Sequence, residues 1–355
     1  TMITQIIIDQ VQQTMNWEFA GAVSVLLLVV VLAVFALYDK ILGLSTMTGG
    51  SASRPRTSSK PGLMRRAGEA LLDLLASLSD RLFSLLPSRL RRSVSGTGQS
   101  RTLWWIVLAV LAFLSAPAFL MIPLSFDSGS GLTWPPKGFS LQWYEQMFTS
   151  PVWMQAITRS LIVGVGTGLL AMLIGTPAAF LLVRADMRGK SAMLAFVLSP
   201  IVVPRMIIAV GMFYFFARVG LVGSTIGLIL AHTVVAVPYV VITMMAVLRN
   251  YDTRLDLAAQ SLGAGPWSTL RFVTFPILSA GLMSSFLFAF ATSFDELTIA
   301  LFASGGLNAT LPKQFWDEVT LQISPVIAAV STCLFIFIAA LIWLADRLRR
   351  RSLAG

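Results

Sequence analysis

Leu255-Asp-Leu-Ala-Ala-Gln-Ser-Leu-Gly-Ala-Gly-Pro-Trp-Ser-Thr-Leu-Arg-Phe-Val-Thr-Phe-Pro276 is a moderately polar island between two long apolar runs. Within it Leu255, Ala258, Ala259 and Leu262 recur at helical spacing, and Gly263 supplies the left-handed stop that ends a short helix. Pro266 can open a second helix at its first position, where a missing N–H costs nothing. The pattern predicts a helix, a glycine elbow and another helix, each too short to cross a bilayer and amphipathic enough to present a knob to a partner.

What surrounds the island decides the fold class. Of the 355 residues, 56% are apolar and 12% charged, with a mean hydropathy of +0.80, whereas soluble domains carry about 25% charged residues. The chain reads as an all-α polytopic membrane protein. Trp17–Tyr38, Leu103–Leu124, Ala156–Val183, Ala192–Ala217, Ser224–Leu248, Ile277–Phe302 and Pro325–Leu344 each reach the ~20 residues that a bilayer requires. The net charge of +10 does not indicate nucleic acid, because the basic residues sit in short connections with no basic face or interleaved aromatic platform. Cys333 is the only cysteine, which excludes a disulfide framework or a cysteine zinc site within the chain. His232, the only histidine, reads as a packed or hydrogen-bonded helix residue.

The connections set the topology. Lys40–Arg101, Arg184–Lys190, Arg249–Arg271 and the tail Arg347–Arg351 are basic and alternate with Ser125–Gln155, Arg218–Gly223 and Ser304–Ser324, which are not. Basic connections accumulate on the cytoplasmic side, which puts the island and the carboxyl terminus there. Ser125–Gln155, with Trp134-Pro135-Pro136 and Trp143-Tyr144, then faces outside, either as ordinary interfacial aromatics or as a scoop for a periplasmic partner. Residues 45–101 form the one extended non-membrane segment. Its Arg65–Leu90 part carries leucines at helical spacing with arginines at both ends, which suits an amphipathic helix on an anionic leaflet or a plain linker.

No phosphate cradle is present. Gly189-Lys190-Ser191 resembles the end of one, but Arg184 stands where the first glycine is required and no strand precedes it. Gly164, Gly166 and Gly168 lie inside an apolar helix, where small residues permit close packing. The informative charges are Asp295 and Glu296, which an uninterrupted Ile277–Phe302 helix would carry ~27 Å from its start, into the bilayer. An ionised carboxylate there costs about 2–3 kcal/mol or more unless it meets protein, water or a cation. Three readings follow: the pair lines a pathway and attracts a cation, it pairs internally with Arg205 just after Pro204, or the helix ends early and the pair caps the break. Pro177, Pro200, Pro204 and Pro238 inside successive runs free backbone carbonyls and bend helices, as a transporter can use to widen a cavity.

These residues carry a resemblance. The island is similar to the EAA loop of bacterial ABC importer permeases, with Ala258, Ala259, Gly263 and Pro276 in place, but Leu257 where glutamate is usual and Phe275 where leucine is usual. Ser293-Phe294-Asp295-Glu296, then Gly305 and Thr310-Leu311-Pro312, narrow the likeness to the spermidine/putrescine branch of type I permeases. It implies a six-helix permease domain over residues 102–355. It also implies a location in the bacterial inner membrane, a second permease half, a periplasmic substrate-binding protein and two cytoplasmic ATPases that hold the ATP and Mg2+. The chain itself then needs no cofactor or metal and is no enzyme. Asp256, Ala258, Ala259, Gly263, Ala264 and Pro276, within the 252–276 loop, are expected to couple to the ATPase, with Asp256 a partial stand-in for the missing glutamate. Asp295, Glu296 and Arg205 are expected to form the pathway or gate for a polyamine. Iron, thiamine or opine-like solutes are the alternatives, with an ion-coupled secondary transporter a more distant one. Thr1-Met2-Ile3-Thr4-Gln5, Asp9 and Tyr38-Asp39-Lys40 echo Thr310-Leu311-Pro312-Lys313-Gln314, Asp317 and Ala345-Asp346-Arg347. Residues 1–44 read either as the last helix of a preceding, similar permease half or as an unrelated membrane helix with similar flanks.

Overall fold

The computed structural model describes residues 19, 21–30, 33, 77, 101–304, 308–321 and 324–354, and among them every regular element is helical. The expected terminal helix in residues 1–44 and the linker in residues 45–101 lie outside the described residues, apart from α1 (Gly21–Val30) and a few single positions. Leu26–Leu120 segregate as a unit of their own. That unit includes most of α2 (Arg101–Leu124), which exposes Trp104, Trp105 and Phe113 as a lipid-contacting helix does. Met121–Gly355 belong to the other unit.

There α3 (Gln142–Thr149) and α4 (Pro151–Arg184) are followed by α5 (Lys190–Val202), α6 (Arg205–Val219) and α7 (Thr225–Arg249). Next come α8 (Arg254–Ser261), α9 (Pro266–Phe294), α10 (Thr298–Ala303), α11 (Leu311–Leu321) and α12 (Val326–Ala354). The helices α2, α4, α7 and α9 are each long and apolar enough to cross a membrane, and α12 contributes an apolar segment over Val326–Ala340. Both α4 and α7 run through Pro177 and Pro238 as single elements.

Helix continuity differs from the sequence reading at three places, two of them breaks and one a join. The Ala192–Ala217 run is two helices, α5 and α6, bent by 97° where they meet. Pro204 disfavours helical backbone in the residue before it, and Val203 is extended at φ −71° and ψ 128°. The Ile277–Phe302 run stops at Phe294 and resumes as the short α10, so Asp295 and Glu296 lie in a break rather than inside a helix. The second island helix is no separate piece: the turn opened by Pro266 continues through a π-helical turn at Leu270–Thr274 into α9. Pro276 explains the π turn, because its missing N–H and its ring cannot be accommodated by regular α-helical bonding one turn earlier.

The core is a three-helix packing of α4, α7 and α9. Small residues let it close. A methyl group added at Gly168 would lie 2.6 Å from the Phe286 ring, and one at Gly164 would lie 2.9 Å from Phe290. Phe286, Phe290 and Phe294, four residues apart on α9, stack in sequence against that glycine face, with the last pair at 5.4 Å between ring centres. Two apolar clusters fill the bundle: one around Met206, Leu228, Val235 and Ile299, the other around Ala179, Val240, Met244 and Leu278.

Candidate functional site

The island is built on a buried carboxylate. Asp256, in the first turn of α8, is 9% exposed and pairs with Arg184 at the end of α4 at 2.9 Å. Its other oxygen accepts from the Tyr251 hydroxyl at 2.6 Å and the Thr274 hydroxyl at 2.8 Å. The Arg184 guanidinium lies 5.1 Å from the centres of both the Phe180 and the Tyr251 rings. Burial pushes the Asp256 carboxyl up, but hydrogen bonds from Tyr251, Thr274 and Arg184 outweigh it and hold the group below the usual carboxylate value. The Tyr251 phenol moves up, first through burial and then because it donates to Asp256. Four segments thus meet on one side chain: the end of α4, the turn after α7, α8 and the π turn. Asp256 is therefore turned into the chain, with both oxygens satisfied there, rather than presented outward as a substitute for the missing glutamate.

The island presents large apolar side chains outward, among exposed polar residues that include Arg254, Gln260, Ser261 and Arg271. Leu257 is 61% exposed, Leu262 90% and Trp267 68%, with Ala258 and Gly263 also exposed and Ala259 and Ala264 partly so. Gly263 adopts φ +90°, its N–H donates to Gln260 O at 2.9 Å, and Ala264 N–H donates to Ala259 O at 3.1 Å. This pair of bonds is the Schellman closure that a left-handed residue permits, as the sequence predicted for Gly263. Pro276 is exposed in the first turns of the long helix.

At the break after α9 a second carboxylate is buried. Glu296 is 1% exposed, pairs with Arg205 at 2.5 Å and accepts from Ile299 N–H at 3.2 Å. Arg205 opens α6 directly after the bend and keeps 43% of its side chain exposed. The pair therefore ties the bend between α5 and α6 to the break between α9 and α10. Asp295 caps the end of α9 with its N–H on Ala291 O at 3.1 Å, while its side chain is exposed and makes no hydrogen bond or ion pair among the described residues. One turn earlier the end of α9 is fixed by Ser293, which lies 2.8 Å from His232 Nδ1 and donates to Thr167 at 3.3 Å. An apolar cleft of about 420 Å3, lined by Pro200, Val203, Ile207 and Met212 among others, fills the angle of the bend.

Of the sequence-derived residues, Arg205 and Glu296 meet, Asp295 stands beside them facing away, and the island residues gather at their own site. Sequence reasoning missed Arg184, Tyr251 and Thr274, since an arginine at the end of an apolar run looks like any interfacial anchor. It also missed Thr167, whose hydroxyl carries no signal inside an apolar run. Outside the bundle, Trp143 donates to Asp127 O at 2.6 Å and Tyr144 lies 2.7 Å from the Ser125 hydroxyl, so these two pin their own loop, while Trp134 is exposed.

Comparison with known proteins fits this geometry. The chain is 30% identical over 247 residues to the spermidine/putrescine transport system permease protein PotC of Haemophilus influenzae, spanning 69% of this chain and 95% of that one. It is 31% identical over 242 residues to the putrescine transport system permease protein PotI of Escherichia coli K12, spanning 65% of this chain and 85% of that one. It is also 27% identical over 254 residues to the molybdenum transport system permease protein ModB of Mycobacterium bovis, spanning 67% of this chain and 91% of that one. The fold matches a chain of a bacterial ABC transporter involved in import of the acidic polysaccharide alginate, with a TM-score of 0.55 at 14% identity over 72% of this chain and 98% of that one. The family of binding-protein-dependent transport system inner membrane components matches residues 171–353, and the chain belongs to it.

Proposed function

We infer that this permease forms half of the path for a polyamine and receives the ATPase stroke through the 252–276 loop. The observation that carries the substrate is Asp295, an exposed residue at a break in a spanning helix whose carboxylate has no hydrogen bond or ion pair among the described residues. A flexible polycation needs such a group, and two relatives about a third identical are named for spermidine and putrescine transport. Glu296 and Arg205 hold the bend and the break together, so that the Asp295 backbone keeps its place while its carboxylate stays available.

The coupling reading rests on the division of labour in the island. Asp256 grips Arg184 inside, and Leu257, Leu262 and Trp267 stand outside as an apolar knob for a cytoplasmic ATPase. Because Leu257 replaces the usual glutamate, that contact is apolar rather than ionic. ATP and Mg2+ belong to the ATPase, a periplasmic binding protein delivers the solute, and a second permease half completes the path. The echo between residues 1–44 and the carboxyl-terminal part supports a preceding half on the same polypeptide. With the island inside, the carboxyl terminus is cytoplasmic as well.

The test is ATP-dependent uptake of labelled putrescine by the assembled importer in vesicles, with unlabelled spermidine and molybdate as competitors. Competition by spermidine alone is expected. Competition by molybdate alone would transfer the assignment to an oxyanion read by Arg205, a second reading that the molybdenum-transport relative and the half-exposed Arg205 side chain favour.

A further inference from the structure

A pocket of about 510 Å3 with mixed walls lies at the end of the bundle away from the island, lined by the polar Gln155, Thr158 and Arg159 of α4, Thr225 at the start of α7 and Asn308, and by the apolar Pro151, Met154 and Ile162. None of these residues is acidic. The Arg159 guanidinium donates one N–H to the Thr225 hydroxyl at 3.1 Å, and its Nη1 is buried with no partner among the described residues. A second buried orphan, the Thr310 hydroxyl, sits next to the point where Leu311 N–H donates to Ser160 at 2.7 Å, one residue from Arg159. A guanidinium with a buried, unpaired nitrogen lacks an anion. The first turn of α7 adds the positive end of a long helix to the same wall.

Depth and surroundings identify the anion. Arg184 and Arg159 lie on one helix, ~37 Å apart at ~1.5 Å per residue. The hydrocarbon layer is ~30 Å thick, so with Arg184 at one interface Arg159 reaches the headgroup layer of the opposite leaflet. Below the pocket, Ile162, Val165, Leu169 and Leu173 form an exposed apolar track along the same helix, up to 70% exposed at Leu173. A polar, cationic head above an apolar track has the shape of a phospholipid. A polycationic solute is repelled by Arg159, so the pocket is distinct from the path at Asp295.

We propose that the Arg159 pocket binds the phosphate of an anionic phospholipid, with one acyl chain along Ile162–Leu173. The test is native mass spectrometry of the assembled importer from mixed phosphatidylglycerol and phosphatidylethanolamine nanodiscs. Wild type and Arg159→Lys are expected to retain phosphatidylglycerol, and Arg159→Gln to retain about fivefold less, the contribution of one basic group near an anionic surface. Gln155→Leu and Asn308→Leu, on exposed pocket walls, lower retention in the same direction and serve if Arg159→Gln fails to assemble. Inorganic phosphate at millimolar concentration leaves retention unchanged, because it cannot use the apolar track. Equal retention by wild type and all three pocket variants, or displacement of lipid by free phosphate, overturns the proposal. So does dissociation of Arg159→Gln into separate subunits with phosphatidylglycerol retention unchanged, since the anion is then a carboxylate of a protein partner.

Discussion

The island and the break solve one problem in two ways. Each pairs adjacent residues, one turned in and one turned out: Asp256 beside Leu257, Glu296 beside Asp295. In each, the inward carboxylate holds an arginine from an earlier helix, Arg184 at 2.9 Å and Arg205 at 2.5 Å. They differ in what faces out. Leucine suits a protein surface that stays docked, whereas an exposed aspartate suits water and a passing cation. Adjacent residues read together from sequence thus separate into one buried, paired side chain and one exposed one.

The comparison breaks most visibly at Arg205. Arg205→Ala leaves Glu296 buried without its ion pair and is expected to cost about 3 kcal/mol of stability. A detergent thermal-unfolding series with Glu296→Gln and the double variant measures it, and the double variant should lose less than the sum of the singles. Asp256→Ala comes next, at about 1–3 kcal/mol, because two hydroxyls and a guanidinium lose their acceptor. It should also lower solute transported per ATP hydrolysed, whereas Leu257→Ala should weaken ATPase binding without changing the unfolding midpoint.

The Asp256 contribution has a defined pH dependence. The folded-state carboxyl is held below its ordinary value of 3.8, so its stabilisation is fully present above that value and is lost as the pH falls below it through the folded-state pKa. The midpoint difference between wild type and Asp256→Asn should stay constant from neutral pH to mildly acidic pH and shrink only below about 3.8. Gly263→Val is expected to cost about 1–2 kcal/mol from forcing a β-branched residue to positive φ, with loss of stimulated ATP hydrolysis.

How much of this was legible beforehand follows from the kind of signal each feature carries. Apolar length located α2, α4, α7 and α9, the Gly263 elbow could be read from residue type, and the Arg205–Glu296 pairing was one of three readings of those charges. The 97° bend was not legible, because four prolines look alike in sequence and only Pro204 interrupts its helix. The break at Asp295 was one of three readings left open, because the apolar residues on both sides of it suit a continuous helix equally well. The inward turn of Asp256 depends on Arg184 and Thr274, distant in sequence, and no local pattern predicts which face of a short helix will find such partners.

The central claim is that Asp295 meets the solute while Glu296 holds the fold, and polyamine uptake by the assembled importer carrying Asp295→Asn tests it most directly. The account predicts an unchanged unfolding midpoint and a KM for putrescine raised about tenfold, as loss of one charge-assisted contact implies, with Asp295→Glu restoring most of it. Unchanged uptake by Asp295→Asn at wild-type stability would contradict it.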